Sequence, residues 1–256
     1  MTERPLEAAA DHFSGEGLIT EIVRIIRTGK EASVYLCRAN RSTTGEDLLA
    51  MKLYHPLDRR DFRDESLYRD GEWIKERRVR VALEKRTRFG RDVQSEIWVG
   101  REWETLSLLS EGGVAVPRPV ARSEDAILMT YLGDEEDAAP QLRSVRSSER
   151  EAQELLEQTI HAIEQMLYRN VIHGDLSAYN VLVWDGRVTV IDLPQAVDPR
   201  KNRHAKGLLE RDVARVCDHL SRSGAKADAR RIADDLWTAW QFADLVPEEL
   251  RVELEI

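Results

Sequence analysis

Residues 171–183 read VIHGDLSAYNVLV, and residues 188–197 read VTVIDLPQAV. Short apolar runs bracket a polar centre in each. The first is therefore a strand, a turn and a strand, and the second is a strand ending in a turn. Asp175 stands at a strand end, Asn180 follows five residues later, and Asp192 follows seventeen residues after Asp175. A carboxylate at the first position can accept a hydrogen bond from an attacking hydroxyl. An amide oxygen and a second carboxylate are hard oxygen donors suited to Mg²⁺, with phosphates and water completing the shell. This spacing is that of a catalytic loop serving phosphoryl transfer from a Mg-nucleotide. The plainer reading makes all three residues turn formers, but the His-Gly-Asp-Leu-Ser-x-x-Asn string is too long for that reading to stand. His173 reads as a residue that orients the loop, not as a base.

Working outward, residues 28–35 read TGKEASVY and residues 50–54 read AMKLY. Gly29 lets backbone approach a phosphate, and Thr28, Lys30 and Ser33 offer donors. The stretch is not a Walker A loop, because no Gly stands five residues before Gly29 and it joins strands instead of opening a helix. Ile19, Ile22, Val23, Ile25 and Ile26 predict the first strand, Val34 with Tyr35 and Leu36 the second, and residues 48–54 the third. Lys52 on the third strand is where a nucleotide-binding lysine would stand. A helix over 92–111 carries its candidate ion-pair partner, Glu102. Short strands follow near Val120 and over 126–131. Ser148 and Glu151 form a capping box that opens a helix reaching Tyr168. Residues 204–243 read as two or three helices.

The chain has 256 residues, which suits one bilobed unit or two small domains. With 42% hydrophobic and 33% charged residues, 14 Gly and 8 Pro, it is neither collagen-like nor disordered. No apolar run can span a bilayer, so no membrane partner is expected. Two distant cysteines, Cys37 and Cys217, fit neither a disulfide framework nor a metal site, and a cytoplasmic protein is expected. The net charge of −9 argues against a protein built around nucleic acid. Residues 59–91, however, carry 12 Lys and Arg against 7 Asp and Glu. That run reads first as a solvated loop, with RNA contact and substrate docking as alternatives; Ser66 within it is a candidate self-phosphorylation site. The tryptophans, including Trp73, Trp98, Trp103, Trp237 and Trp240, read as packing residues.

The strings TGKEASVY, AMKLY, HGDLSAYN and IDLPQAV together resemble the RIO family of atypical serine/threonine protein kinases, over about residues 20–222. Only about seventeen residues precede the first strand, so the chain looks nearest the branch without an N-terminal winged helix. The resemblance implies an α+β, protein-kinase-like bilobal fold. Residues 1–17 would be a loose lead-in with a weak helix, 18–132 the N-lobe with a flexible loop at 57–90, and 133–256 a truncated helical C-lobe. Sixty-four residues follow Asp192, with no Ala-Pro-Glu, which leaves no room for a full peptide-binding lobe.

The resemblance further implies ATP with Mg²⁺, Mn²⁺ being an alternative cation. Asp175 would be the catalytic Asp, and Asn180 and Asp192 would hold the metal. Lys52 would bind the α/β-phosphates and pair with Glu102. Thr28, Gly29, Lys30 and Ser33 would lie over the phosphates, and Met129, Tyr131 and Leu132 would be the gatekeeper and hinge at the adenine. The implied reaction is phosphorylation of protein serine, autophosphorylation included. One alternative is an ATPase switch in small ribosomal subunit maturation, with contact to the subunit or its rRNA through 59–91. The other is a small-molecule kinase like the aminoglycoside phosphotransferases. Gly174 supports the latter, since those enzymes also read His-Gly-Asp where the RIO loop commonly has Ala.

Overall fold

The computed structural model describes residues 3–55 and 88–245. They divide into two compact units, one of residues 3–55, 88–110 and 117–139, the other of residues 111–116 and 140–245. Of the Arg59–Arg91 run, residues 59–87 lie outside the described residues, and Ser66 and Trp73 with them. No helix among the described residues is long and apolar enough to cross a membrane.

The first unit is built on an antiparallel sheet. Its order is β1 (Ile19–Thr28), β2 (Ala32–Ala39), β3 (Leu48–Tyr54), β5 (Ala126–Thr130), β4 (Pro119–Arg122). The inner strands β3 and β5 are almost wholly buried, which is why they read as continuous apolar runs. Strand β1 lies at the sheet edge and alternates between exposed and partly buried residues. Helix α1 (Glu3–Gly15) is no loose lead-in. Leu6, Ala9 and Phe13 recur on one helical face and join a core cluster with Ile19, Cys37, Leu49, Met51 and Leu128. Burying Phe13 fully contributes roughly 2 kcal/mol. A short helix α2 (Arg41–Thr44) fills the β2–β3 turn and ends on left-handed Gly45. Helix α3 (Arg88–Glu111) begins four residues before the expected start, buries Leu106 and Leu109, and carries Glu102 inward.

The second unit opens on a three-residue 3-10 turn, Leu142–Ser144, and helix α4 (Glu149–Tyr168). The predicted capping box forms: Ser148 Oγ accepts from Glu151 N, and Glu151 Oε2 accepts from Ser148 N. Strands β6 (Val181–Trp184) and β7 (Arg187–Val190) make a two-residue hairpin. Its turn, Asp185-Gly186, is left-handed at both residues, as such a tight hairpin requires. The strand expected at 171–172 is only an isolated bridge between Ile172 and Val197. Among the described residues the C-terminal helices are two, α5 (Ala205–Ser221) and α6 (Ala229–Leu245), and α4 packs on both.

Candidate active site

Lys52 sits in the middle of β3, in register with Val34 on one side and Ile127 on the other. An ammonium group so deeply set needs a charged partner. Glu102 of α3 supplies it: Lys52 Nζ lies 2.7 and 2.8 Å from the two carboxylate oxygens. Two residues along the strand, Tyr54 points to the same face. Its hydroxyl donates to Glu102 Oε2, and its ring centroid lies 5.1 Å from Nζ. Taking two charges out of water costs several kcal/mol each, and only this kind of multiple pairing offsets the cost. The result is an ammonium fixed in position by a carboxylate that is itself held.

The turn between β1 and β2 is closed by a hydrogen bond from Gly29 N to Ala32 O, at 2.8 Å. Thr28 pairs with Ser33 at the strand ends, while Thr28, Gly29 and Lys30 are exposed. Ser33 is buried, with its hydroxyl 2.8 Å from His55 Nε2. His55 Nδ1 lies 3.2 Å from Lys30 O, and His55 N donates to Glu31 O at 2.7 Å. A carbonyl can only accept, so Nδ1 carries the proton and Nε2 accepts from Ser33. His55 thus ties three residues of the turn to the end of β3. The sequence reading did not single it out; a histidine one residue past a strand carries no periodic signal. Met129 lies in β5, opposite Ala50 of β3. Tyr131 and Leu132 follow it, and Leu132 O accepts from Ala139 N at 2.9 Å.

In the second unit, Asp175 is held by its backbone neighbours. The Asp212 carboxylate of α5 accepts from Gly174 N at 2.8 Å and from Leu176 N at 3.0 Å. Arg211, next to Asp212 on α5, donates to Gly174 O. His173 Nε2 donates to Ile191 O at 3.0 Å, and its Nδ1 accepts from Asp175 N at 3.3 Å. His173 therefore has the orienting role expected of it. Gly174 has φ 80°, a left-handed conformation that favours glycine at this place in the loop. The Asp175 carboxylate, so placed, meets Arg215 Nη1 at 2.7 Å.

Asn180 Nδ2 donates to Asp175 O at 3.0 Å, which leaves the amide oxygen as the group suited to a cation. Asn180 O accepts from Ile191 N at 3.0 Å, so Asn180 and Asp192, twelve residues apart in sequence, stand beside one another at the base of the β6–β7 hairpin. One amide oxygen and one carboxylate make an oxygen-only set that fits Mg²⁺ better than a softer metal. Asp192 itself has φ 70°, unusual for a residue with a side chain.

Asp212 is 1% exposed. Burial pushes its carboxyl up to about 6, against the pull of His173 and the two backbone donors. It was missed in the sequence although a signal exists. Leu208, Leu209, Val213, Val216, Cys217 and Leu220 form the buried stripe of α5, and Asp212 stands inside it. An acid on an apolar helix face is seldom buried without a task.

The family model of the RIO domain matches residues 33–232. The chain belongs to the RIO family. It is 32% identical over 205 residues to the RIO-type serine/threonine-protein kinase Rio1 of Haloferax volcanii, covering 79% of this chain and 64% of that one. It is 32% identical over 207 residues to serine/threonine-protein kinase RIO1 of Homo sapiens, covering 80% of this chain and 34% of that one. The chain thus spans less than two thirds of either RIO relative. A crystal structure of the Rio2 kinase–ADP/Mg²⁺–phosphoaspartate complex from Chaetomium thermophilum matches the whole chain and 75% of its own, with a TM-score of 0.65 at 20% identity. The α+β kinase-like architecture implied by the RIO strings is the one found.

Proposed function

We propose that this RIO chain transfers the γ-phosphoryl group of ATP to a protein serine, its own serines included. The observation that carries this reading is the clamp on Asp175: Asp212 fixes the backbone on both sides of it while its carboxylate stays exposed. Asp175 accepts the hydrogen bond of the incoming serine and takes up or orients its proton. The serine oxygen bonds to the γ-phosphorus, the bond to the β-phosphate oxygen breaks, and ADP leaves. Lys52 engages the α/β-phosphates; Thr28, Gly29, Lys30 and Ser33 cover the phosphate chain; Met129, Tyr131 and Leu132 meet the base. Asn180 and Asp192 would hold Mg²⁺, with Mn²⁺ the alternative, and the cation supplies charge neutralisation at the phosphates. The names of the Rio1 relatives support this reading.

The test follows label from γ-labelled ATP into protein and into free phosphate, for wild type and Asp175→Ala. Label on wild-type protein that the variant loses is the expected result. The same ATP binding with no transfer from either protein would sink the reading.

The phosphoaspartate of the Chaetomium Rio2 complex favours a second reading, an ATPase switch. On this reading the phosphoryl group of ATP would pass to an aspartate carboxylate of this chain with loss of ADP, and water would then attack phosphorus, releasing inorganic phosphate and restoring the carboxylate. Free phosphate without stable serine label, and salt-sensitive co-sedimentation with small ribosomal subunits, would mark this outcome.

A further inference from the structure

Helix α5 lays a row of basic side chains along the loop of Asp175. Arg211, Arg215 and His219 recur every four residues and share one face. Arg211 reaches Gly174 O, Arg215 reaches the Asp175 carboxylate, and His219 Nε2 donates to Leu142 O at 3.3 Å. From the other side, Arg143 of the 3-10 turn donates its backbone N–H to Ala178 O at 3.0 Å. Its guanidinium carbon lies 4.6 Å above the exposed ring of Tyr179, with Nε held by Gln141 Oε1. In a chain of net charge −9, this gathering of arginines at one loop runs against the overall balance.

Arg211 and His219 are engaged by backbone. Arg215 is engaged by the carboxylate that the reaction needs. An oxygen bonded to a guanidinium is a poor acceptor for a serine proton, and Arg215 holds only Oδ1, so either Oδ2 takes the proton or the pair opens as the acceptor arrives. With both side chains about half exposed, opening is easy, because water competes for each partner. It leaves a guanidinium beside the reacting hydroxyl, and a carboxylate is its best geometric match.

We propose that Arg215, together with Arg143 on Tyr179, recognises a carboxylate on the acceptor, so that the substrate serine lies in an acidic peptide segment. The inference rests on the phosphoryl-transfer reading above.

The experiment compares serine peptides flanked by Asp and Glu with matched peptides carrying Asn and Gln, using γ-labelled ATP. The proteins are wild type, Arg215→Glu, Arg215→Lys and, as a charge-matched control on exposed α4 surface, Arg150→Glu. Wild type should favour the acidic peptides by roughly tenfold in kcat/KM, mostly through KM, the equivalent of one or two charge-assisted contacts. Arg215→Lys should keep part of the preference, Arg215→Glu should lose or reverse it, and Arg150→Glu should leave it unchanged. Equal kcat/KM for both peptide sets, or a preference that survives Arg215→Glu, would overturn the proposal. So would a single-stranded RNA that competes as strongly as the acidic peptide at equal charge. If wild type yields serine self-label but no acidic preference, this inference alone fails; free phosphate without serine label takes the serine-transfer reading down with it. If it turns over no ATP at all, the phosphoryl-transfer reading fails with it.

Discussion

Two ion pairs of the same 2.7 Å length stand in the two units, and their surroundings could hardly differ more. The Lys52 and Glu102 side chains are 11% and 2% exposed, whereas those of Arg215 and Asp175 are 42% and 52% exposed. The first pair has a tyrosine hydroxyl and an aromatic face to complete it. The second is open to solvent on both partners. Burial makes a charge pair a fixed part of the framework, because either ion left alone would be stranded in a poor solvent. Exposure makes a pair exchangeable, because water and salt compete for both partners. The same contact thus serves to hold one group still and to keep another available.

The sharpest way to break this contrast is to remove one partner of each pair. Lys52→Ala and Asp175→Ala should each lower phosphoryl transfer by about a thousandfold or more. Their thermal stabilities should part company. Lys52→Ala strands Glu102 and should cost about 3 kcal/mol; Asp175→Ala should unfold close to wild type. Equal losses in calorimetry would refute the distinction between the two pairs.

The support beneath Asp175 can be tested through pH. Asp212 must be ionised to accept both backbone N–H groups, and its carboxyl titrates at about 6 in the fold. Turnover should therefore fall as pH drops through 6. Stability should move the other way. The folded state binds this proton more readily than the unfolded chain does, so this group alone stabilises the fold as pH falls from about 6 toward the ordinary Asp range. Asp212→Asn should flatten that limb of the rate profile and lower neutral-pH turnover by roughly a hundredfold, the cost of a misplaced catalytic group. A profile unchanged in the variant would show that another group controls the limb.

Smaller effects are expected at the β1–β2 turn. His55→Ala frees Ser33 and the Lys30 carbonyl, and should raise the KM for ATP by about fivefold with kcat nearly unchanged, the loss of about one hydrogen bond. The smallest effect belongs to the exposed pair: Arg215→Ala should shift unfolding by less than about 1 kcal/mol, and by still less in molar salt.

The parts of this arrangement that sequence made legible are those whose partners are close in the chain or fixed in order along it. Asp175, Asn180 and Asp192 sit in one continuous strand–turn–hairpin, so their spacing carries their geometry. Lys52 and Glu102 are fifty residues apart, but a strand lysine and a helix glutamate in that order suggested the pair that the fold forms. Asp212 and His55 were passed over because each acts largely through backbone groups of a distant segment, N–H donors for Asp212 and a carbonyl acceptor for His55, and backbone groups leave no trace in residue identity. Gly174 is ambiguous in the other direction: it supports the small-molecule alternative in the sequence, yet its left-handed backbone gives a local reason for glycine that does not bear on the substrate. Helix α1 was underrated because thirteen residues make a marginal helix alone; the packing of Ala9 and Phe13 is what secures it.

The left-handed backbone at Asp192 bears on how a silent form of this protein can be made. Alanine at that position would lose the carboxylate and also resist the turn, at about 1 kcal/mol or more, so its effect would mix chemistry with a disturbed hairpin. Asparagine tolerates the same backbone and nearly fills the same space. Asp192→Asn is thus the substitution that removes the negative charge while leaving the hairpin intact, so that any activity it loses can be read as the carboxylate's own and not as a disturbed turn.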